Sequence, residues 1–235
     1  MKYQEGQSDQ YFYKYFYDAD NRLTSVQTSR DDKIYDTDAT YTYYQHGPVQ
    51  RVVIGEDKIQ GLDYIYTLQG WLKAVNHRQL TSGYDYGQDG VSGTTNQNIP
   101  ADAFGLILNY YKDDFARTSS QFNNNLSTST MLYKLSTTHG GYSSSSTDMK
   151  SYYTGLISNT TSANGASSTL VTKNAGQPMV NMYLYDELGR LTQSTVDFFS
   201  GSAWHSIATG SKSDYYEHFQ YDENGNITGV IRNAY

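Results

Sequence analysis

Cysteine is absent from this chain of 235 residues, which excludes a disulfide scaffold, a thiolate metal site and a cysteine nucleophile. No apolar run approaches the roughly 20 residues needed to span a bilayer, and the opening MKYQEGQSDQ lacks the apolar core of a signal peptide. Either the chain is not exported by that route or it is an internal piece of something longer. Positive charge is scarce and scattered. With 17 Lys and Arg against 24 Asp and Glu the net charge is -7, and without a basic cluster a nucleic-acid groove is excluded. Proline numbers only 3.

Tyrosine is what the chain has in excess, 25 of them beside 8 Phe, and ring side chains suit a pleated, half-buried surface better than a helix. The rings recur in pairs two residues apart: Tyr15/Tyr17, Tyr41/Tyr43, Tyr64/Tyr66, Tyr183/Tyr185 and Phe219/Tyr221. Residues two apart in a strand share a face, so each pair lays two rings side by side. In three copies an Asp and then a Gly or Asn follow: Asp18 to Asn21, Asp186 to Gly189 and Asp222 to Gly225. Asp accepts backbone N–H groups just ahead of it, and Gly or Asn tolerates the left-handed backbone that closes a short hairpin.

The pattern predicts an all-β fold of antiparallel hairpins forming a curved strip, one module over residues 1–235. The hairpins fall at about 11–30, 39–56, 62–77, 179–197 and 215–232, and a polar, loop-rich insertion occupies about 78–178. Within the insertion, FGLILNYYKDDF reads as a strand, MKSYYTGLI as a weak one and MLYKL as part of a short helix. Two copies lack the Asp, YYQHGPVQRV and YIYTLQGWL with Thr67, and are expected to turn differently. The returning strands carry apolar residues three apart, Leu23/Val26, Val49/Val52, Leu72/Val75 and Ile227/Val230. Such spacing requires either two covered faces or a bulge. Coverage is the reading preferred here; the fourth copy departs, with Leu191 followed only by Val196.

The units YFYDADNRLTSV, YLYDELGRLTQS and FQYDENGNITGV resemble the tyrosine-aspartate repeat, Y-x-Y-D-x-x-G-R-L-T, of the RHS and YD-repeat proteins, a group that includes bacterial polymorphic toxins, toxin-complex cocoon proteins and teneurins. The stretch Tyr44 to Asn76 is similar to a segment upstream of the core of bacterial RHS proteins. The resemblance covers somewhat under half the chain and implies a structural role for Tyr15, Tyr17, Asp18, Asn21, Tyr41, Tyr43, Tyr64, Tyr66, Gly70, Trp71, Tyr183, Tyr185, Asp186, Gly189, Arg190, Phe219, Tyr221, Asp222 and Gly225. It further implies a β-shell that encloses a C-terminal toxin or effector, in a larger bacterial protein that is secreted or held at the cell surface. The partners would then be the rest of the shell and the enclosed segment. The core's Asp-Pro-x-Gly signature is not found here, so the resemblance extends to the wall and not to the cleavage.

Chemistry has no visible home. The histidines His46, His77, His139, His205 and His218 never fall at ligand spacing and read as surface or turn residues, so neither metal nor cofactor is expected. DENGN at Asp222 lacks the remaining ligands of a calcium loop. Asp31/Asp32 and Asp113/Asp114 read as solubilising pairs. Nucleophile elbows and phosphate loops are missing, and a non-enzymatic role is expected. The alternative is a surface module that binds glycans or protein through exposed rings. Trp71, inside a repeat, reads as packing, and Trp204, in a polar stretch, is the stacking candidate.

Overall fold

The computed structural model describes residues 1–77, 80, 84–111, 114–115, 150–165, 178–200, 203–206, 208–209, 212–213 and 215–233, with backbone only for those between 198 and 213. Every regular element among them is a β-strand, and the pairings are antiparallel. Among the described residues no helix is long and apolar enough to cross a membrane. MLYKL, His139 and Asp113 lie outside the described residues.

Two compact units are distinguished, Met1–Ile65 with Thr81–Ala103, and Tyr66–Leu80 with Phe104–Tyr235. In the first, β1 (Lys2–Tyr3), β2 (Tyr11–Tyr17), β3 (Leu23–Ser29), β4 (Asp36–Tyr43), β5 (Val49–Ile54) and β6 (Gln60–Tyr66) pair in chain order. In the second, β7 (Leu72–Val75), β8 (Phe104–Asn109), β9 (Asn159–Asn164), β10 (Met179–Tyr185) and β11 (Leu191–Ser200) do the same. One part of β11 pairs β12 (Ala203–Ser206), another pairs β15 (Glu217–Tyr221), and β15 pairs β16 (Ile227–Arg232). A small ribbon, β13 (Ala208–Thr209) and β14 (Lys212–Ser213), stands apart. The apolar run at Phe104 thus forms a strand, whereas the weak strand expected at MKSYYTGLI is replaced by a turn at Tyr153 and Thr154, and pairing resumes only at Asn159.

Residues three apart share a face because of a bulge, not because both faces are covered. Tyr17 faces Leu23, Phe16 faces Ser25 and Tyr15 faces Val26, so Thr24 is left without an opposite number. The same slip leaves out Gln50, Thr192 and Thr228. An extra residue reverses the alternation once, which places Leu23 and Val26 on the face of their ring pair. In the irregular fourth copy the residue facing Tyr183 is Ser194, and Val196 faces Asn181 instead.

All five turns close alike. Asp18 N–H donates to the Arg22 carbonyl at 3.0 Å and Asn21 N–H to the Asp18 carbonyl at 3.0 Å, and Asp186/Arg190 and Asp222/Asn226 repeat this. The hairpins without Asp do not differ, since Tyr44 N–H reaches the Pro48 carbonyl at 2.9 Å and Thr67 N–H reaches the Trp71 carbonyl at 2.8 Å. At the latter the Thr67 hydroxyl accepts the Trp71 N–H, standing in for a carboxylate. The closing position has positive φ in each copy that the repeat motif marks, +61° at Asn21, +84° at Gly70, +77° at Gly189 and +87° at Gly225.

The interior is unusually polar. Phe12, Val52, Ile65 and Ile99 are buried in the first unit and Ala74, Ile107, Tyr110, Ala163, Val180 and Val196 in the second, but more polar than apolar side chains are buried among the described residues. Each buried apolar side chain the size of Ile107 stabilises by about 1.5–3 kcal/mol. Buried polar groups add to stability only where they are paired, so two polar clusters need a separate account.

Candidate functional site

The repeat residues form a coupling between successive hairpins. In each unit an Asp fixes an Arg, and the Arg covers a ring of the next hairpin. Asp186 Oδ1 accepts the N–H groups of Leu188 and Arg190, and its Oδ2 accepts Arg190 Nε at 2.6 Å. The Arg190 guanidinium then lies over the Tyr221 ring, and the Tyr221 hydroxyl donates to the Leu191 carbonyl at 2.7 Å. In the first unit Asp18, Arg22 and Tyr43 repeat the arrangement, with Arg22 4.9 Å from the ring centre and the Tyr43 hydroxyl 2.7 Å from the Leu23 carbonyl. Backbone N–H donors, from Arg22 and Arg190 first, hold the Asp18 and Asp186 carboxyls below the usual range. At Asp222 the Asn226 amide has the leading part.

The other repeat rings occupy varied places. Tyr15 and Tyr17 are exposed, and Tyr15 stacks on Tyr13 at 6.3 Å. Tyr41, Tyr64, Tyr66, Tyr183 and Phe219 are half-buried. The Tyr185 hydroxyl donates to the Ile157 carbonyl, and its ring meets Tyr152 edge-on. Trp71 packs 5.0 Å from the Tyr110 ring and closely against Gly155. The backbone of Trp204 lies in β12 rather than in a loop, and its side chain is outside the described residues.

In the first unit Arg51 of β5 is clamped between carboxylates and glycines. Its Nη1 donates to Asp63 and its Nη2 to Asp89, while Asp85 accepts the N–H groups of Gly87 and Asp89. A Cβ at Gly61 would overlap Nη2 and Asp89, and one at Gly87 would overlap Nη1 and Asp63. Only glycine lets the backbone approach the guanidinium so closely. One oxygen from each of Asp63, Asp85 and Asp89 lies within 4.8 Å of the others, so these three are the residues that could hold a hard cation, although Arg51 already neutralises part of their charge. Burial, and then the like charges of Asp85, Asp89 and Asp63, push the nearby Asp102 carboxyl up to about 8. Asp89 is pushed up to about 6, chiefly by burial.

In the second unit Lys73 of β7 is completely buried. Its Nζ donates to Asn109 Oδ1 at 2.6 Å and to Asp114 Oδ1 at 2.6 Å. Asp114 Oδ2 accepts the Tyr110 N–H, and Asn109 Nδ2 donates to Asn159 Oδ1 at 2.7 Å. Asp114 is therefore a buried ion-pair partner and not a solubilising group, whereas Asp31 caps a surface turn through the Lys33 and Ile34 N–H groups. His77, expected at the surface, is buried, while His46 is exposed and His218 half-buried.

Sequence reasoning finds neither buried cluster, because Arg51 and Lys73 look like ordinary return-strand residues and the partners they bond lie 12 to 41 residues further along the chain. The one local signal is the dense Asp and Gly of DYGQDG, residues 85–90. No protein-family model matches the chain, and a search among curated proteins gives no significant match.

Proposed function

We propose that this chain is a wall segment of an RHS/YD-repeat shell, a non-catalytic container for a C-terminal toxin or effector in a larger exported protein. The observation that carries this reading is the Asp–Arg–Tyr coupling from one hairpin to the next, found at Asp18/Arg22/Tyr43 and again at Asp186/Arg190/Tyr221. A hairpin alone is marginal in water, and such a coupling gives each one a neighbour to lean on. Strand β16 also keeps Ile227 and Val230, which the bulge at Thr228 brings to one face, exposed as apolar surface on which a further hairpin would pack.

The test is limited proteolysis of the full gene product that contains this segment. A container predicts that the polypeptide C-terminal to the wall resists digestion until the wall is unfolded. Digestion of that polypeptide at the rate of the free effector would end the reading. A second reading, a glycan- or protein-binding face, is favoured by the exposed Tyr15 ring on β2, which stacks on the half-buried Tyr13. Titration with a glycan panel addresses it, and intrinsic fluorescence unchanged by every sugar would remove the glycan form.

A further inference from the structure

We propose that Lys73 and Asn109 become joined by an intramolecular amide bond between Lys73 Nζ and Asn109 Cγ, with Asp114 carrying the proton. The reaction needs an amine, a carboxamide and a proton carrier in contact and shielded from water. These three side chains are fully buried, on β7, at the end of β8 and in the segment just after it, and Nζ lies 2.6 Å from both Asn109 Oδ1 and Asp114 Oδ1.

The position of Lys73 in its repeat is the first sign that it is not an ordinary strand residue. It is the second residue after the turn, where the other copies have Thr24, Gln50, Thr192 and Thr228, none of them buried. In this copy alone the place holds a long amine, and the chain leaving β8 covers it. A second sign is energetic. Two fully buried charges cost more in desolvation than their mutual attraction returns unless every remaining group is satisfied. An amide is neutral, so the bond would leave no ammonium buried.

The step balances without any other reactant. Asp114 takes a proton from the Lys73 ammonium, and the neutral Nζ attacks Asn109 Cγ to form the new C–N bond. As the bond from Cγ to Nδ2 breaks, Asp114 returns this proton to the departing nitrogen, which leaves as ammonia. Asp114 then takes the second proton from Nζ, so the new amide keeps one hydrogen and the Asp114 carboxyl ends neutral. Burial lowers the Lys73 pKa, against the opposing charge of Asp114, which favours the neutral amine. The hydrogen bond from Nδ2 to Asn159 fixes the amide so that Oδ1 faces the lysine, and attack is held at short range by the fold. The product is a covalent strut between β7 and β8 that closes a 36-residue loop.

Intact mass spectrometry of the folded chain tests this directly. The protein should weigh about 17 Da less than its sequence, one ammonia, and trypsin should release residues 59–78 joined to 79–112. Full sequence mass after prolonged incubation at neutral pH would overturn the proposal. So would a loss of about 17 Da mapped to a succinimide at Asn164–Gly165 or Asn224–Gly225, or a loss of about 18 Da mapped to a bond between Lys73 and Asp114. The wild-type mass decides the bond even where variants fail to fold. Asp114→Ala, where it folds, should keep the full mass, and closure at the wild-type rate would remove the proton-carrying role of Asp114.

Discussion

The Arg190 guanidinium lies 4.7 Å from the centre of the Tyr221 ring, one hairpin further along the chain. Its Nε is held by Asp186, and its Nη1 donates to the Asp222 carbonyl at 3.1 Å. Three residues of the repeat motif, Asp186, Arg190 and Tyr221, are thus parts of one contact. In Tyr221→Phe the hydroxyl bond to Leu191 is lost, at about 1 kcal/mol. Arg190→Ala should lower the urea midpoint, and Arg190→Ala combined with Asp186→Ala should cost less than the sum of the two. Strict additivity would show that the contact contributes nothing.

Gly61→Ala and Gly87→Ala should each destabilise the first unit by about 3 kcal/mol or more, because the added carbon displaces Arg51 from two buried carboxylates. Arg51→Met removes the guanidinium from the space and leaves only the Asp89 carboxylate in the way, so Gly61→Ala in that background should cost less. Equal costs in both backgrounds, measured by chemical denaturation, would place the damage elsewhere.

Stability of the first unit should fall as pH rises from about 4 to about 8. The Asp102 carboxyl has a folded pKa near 8 against an ordinary value of 3.8. A raised acid favours the protonated folded state. Its contribution is complete below the ordinary value and is lost as pH climbs through the folded one. Asp18, Asp186 and Asp222, held low, lose their contributions only as pH falls and do not act in this window. Asp102→Asn should flatten the slope between about pH 6 and about pH 8, and an unchanged slope in its unfolding curves would contradict this assignment.

Gly189→Ala should cost about 1 kcal/mol, since its φ of +77° suits glycine, and Asn21→Gly should be neutral or slightly stabilising. Melting temperatures would check both. A Gly189→Ala protein as stable as its parent would show that the turn can relax.

The sequence announces the strands and turns because their signals are local: ring pairs two apart, Asp four residues before Arg, and Gly or Asn at the closing position. It leaves open which of two causes puts Leu23 and Val26 together, because a bulge has no composition of its own, and Thr24 looks like any strand residue. Thr67 shows that a hydroxyl can stand where the motif has a carboxylate, so the turn survives a change in the motif. Arg51 with its aspartates, and Lys73 with Asn109 and Asp114, are invisible for the opposite reason. Their chemistry depends on burial and on partners far along the chain, and Lys73 even occupies a position that elsewhere is not buried.

The hydroxyls of Tyr43 and Tyr221 reach backwards, each to the first residue of the preceding hairpin's return strand, Leu23 or Leu191. On the ribosome, therefore, these hairpins are completed from behind, and each stays unfinished until its successor has emerged. Growth of the protein is directional, and a pause in translation within such a pair would leave one acceptor carbonyl waiting at the growing end.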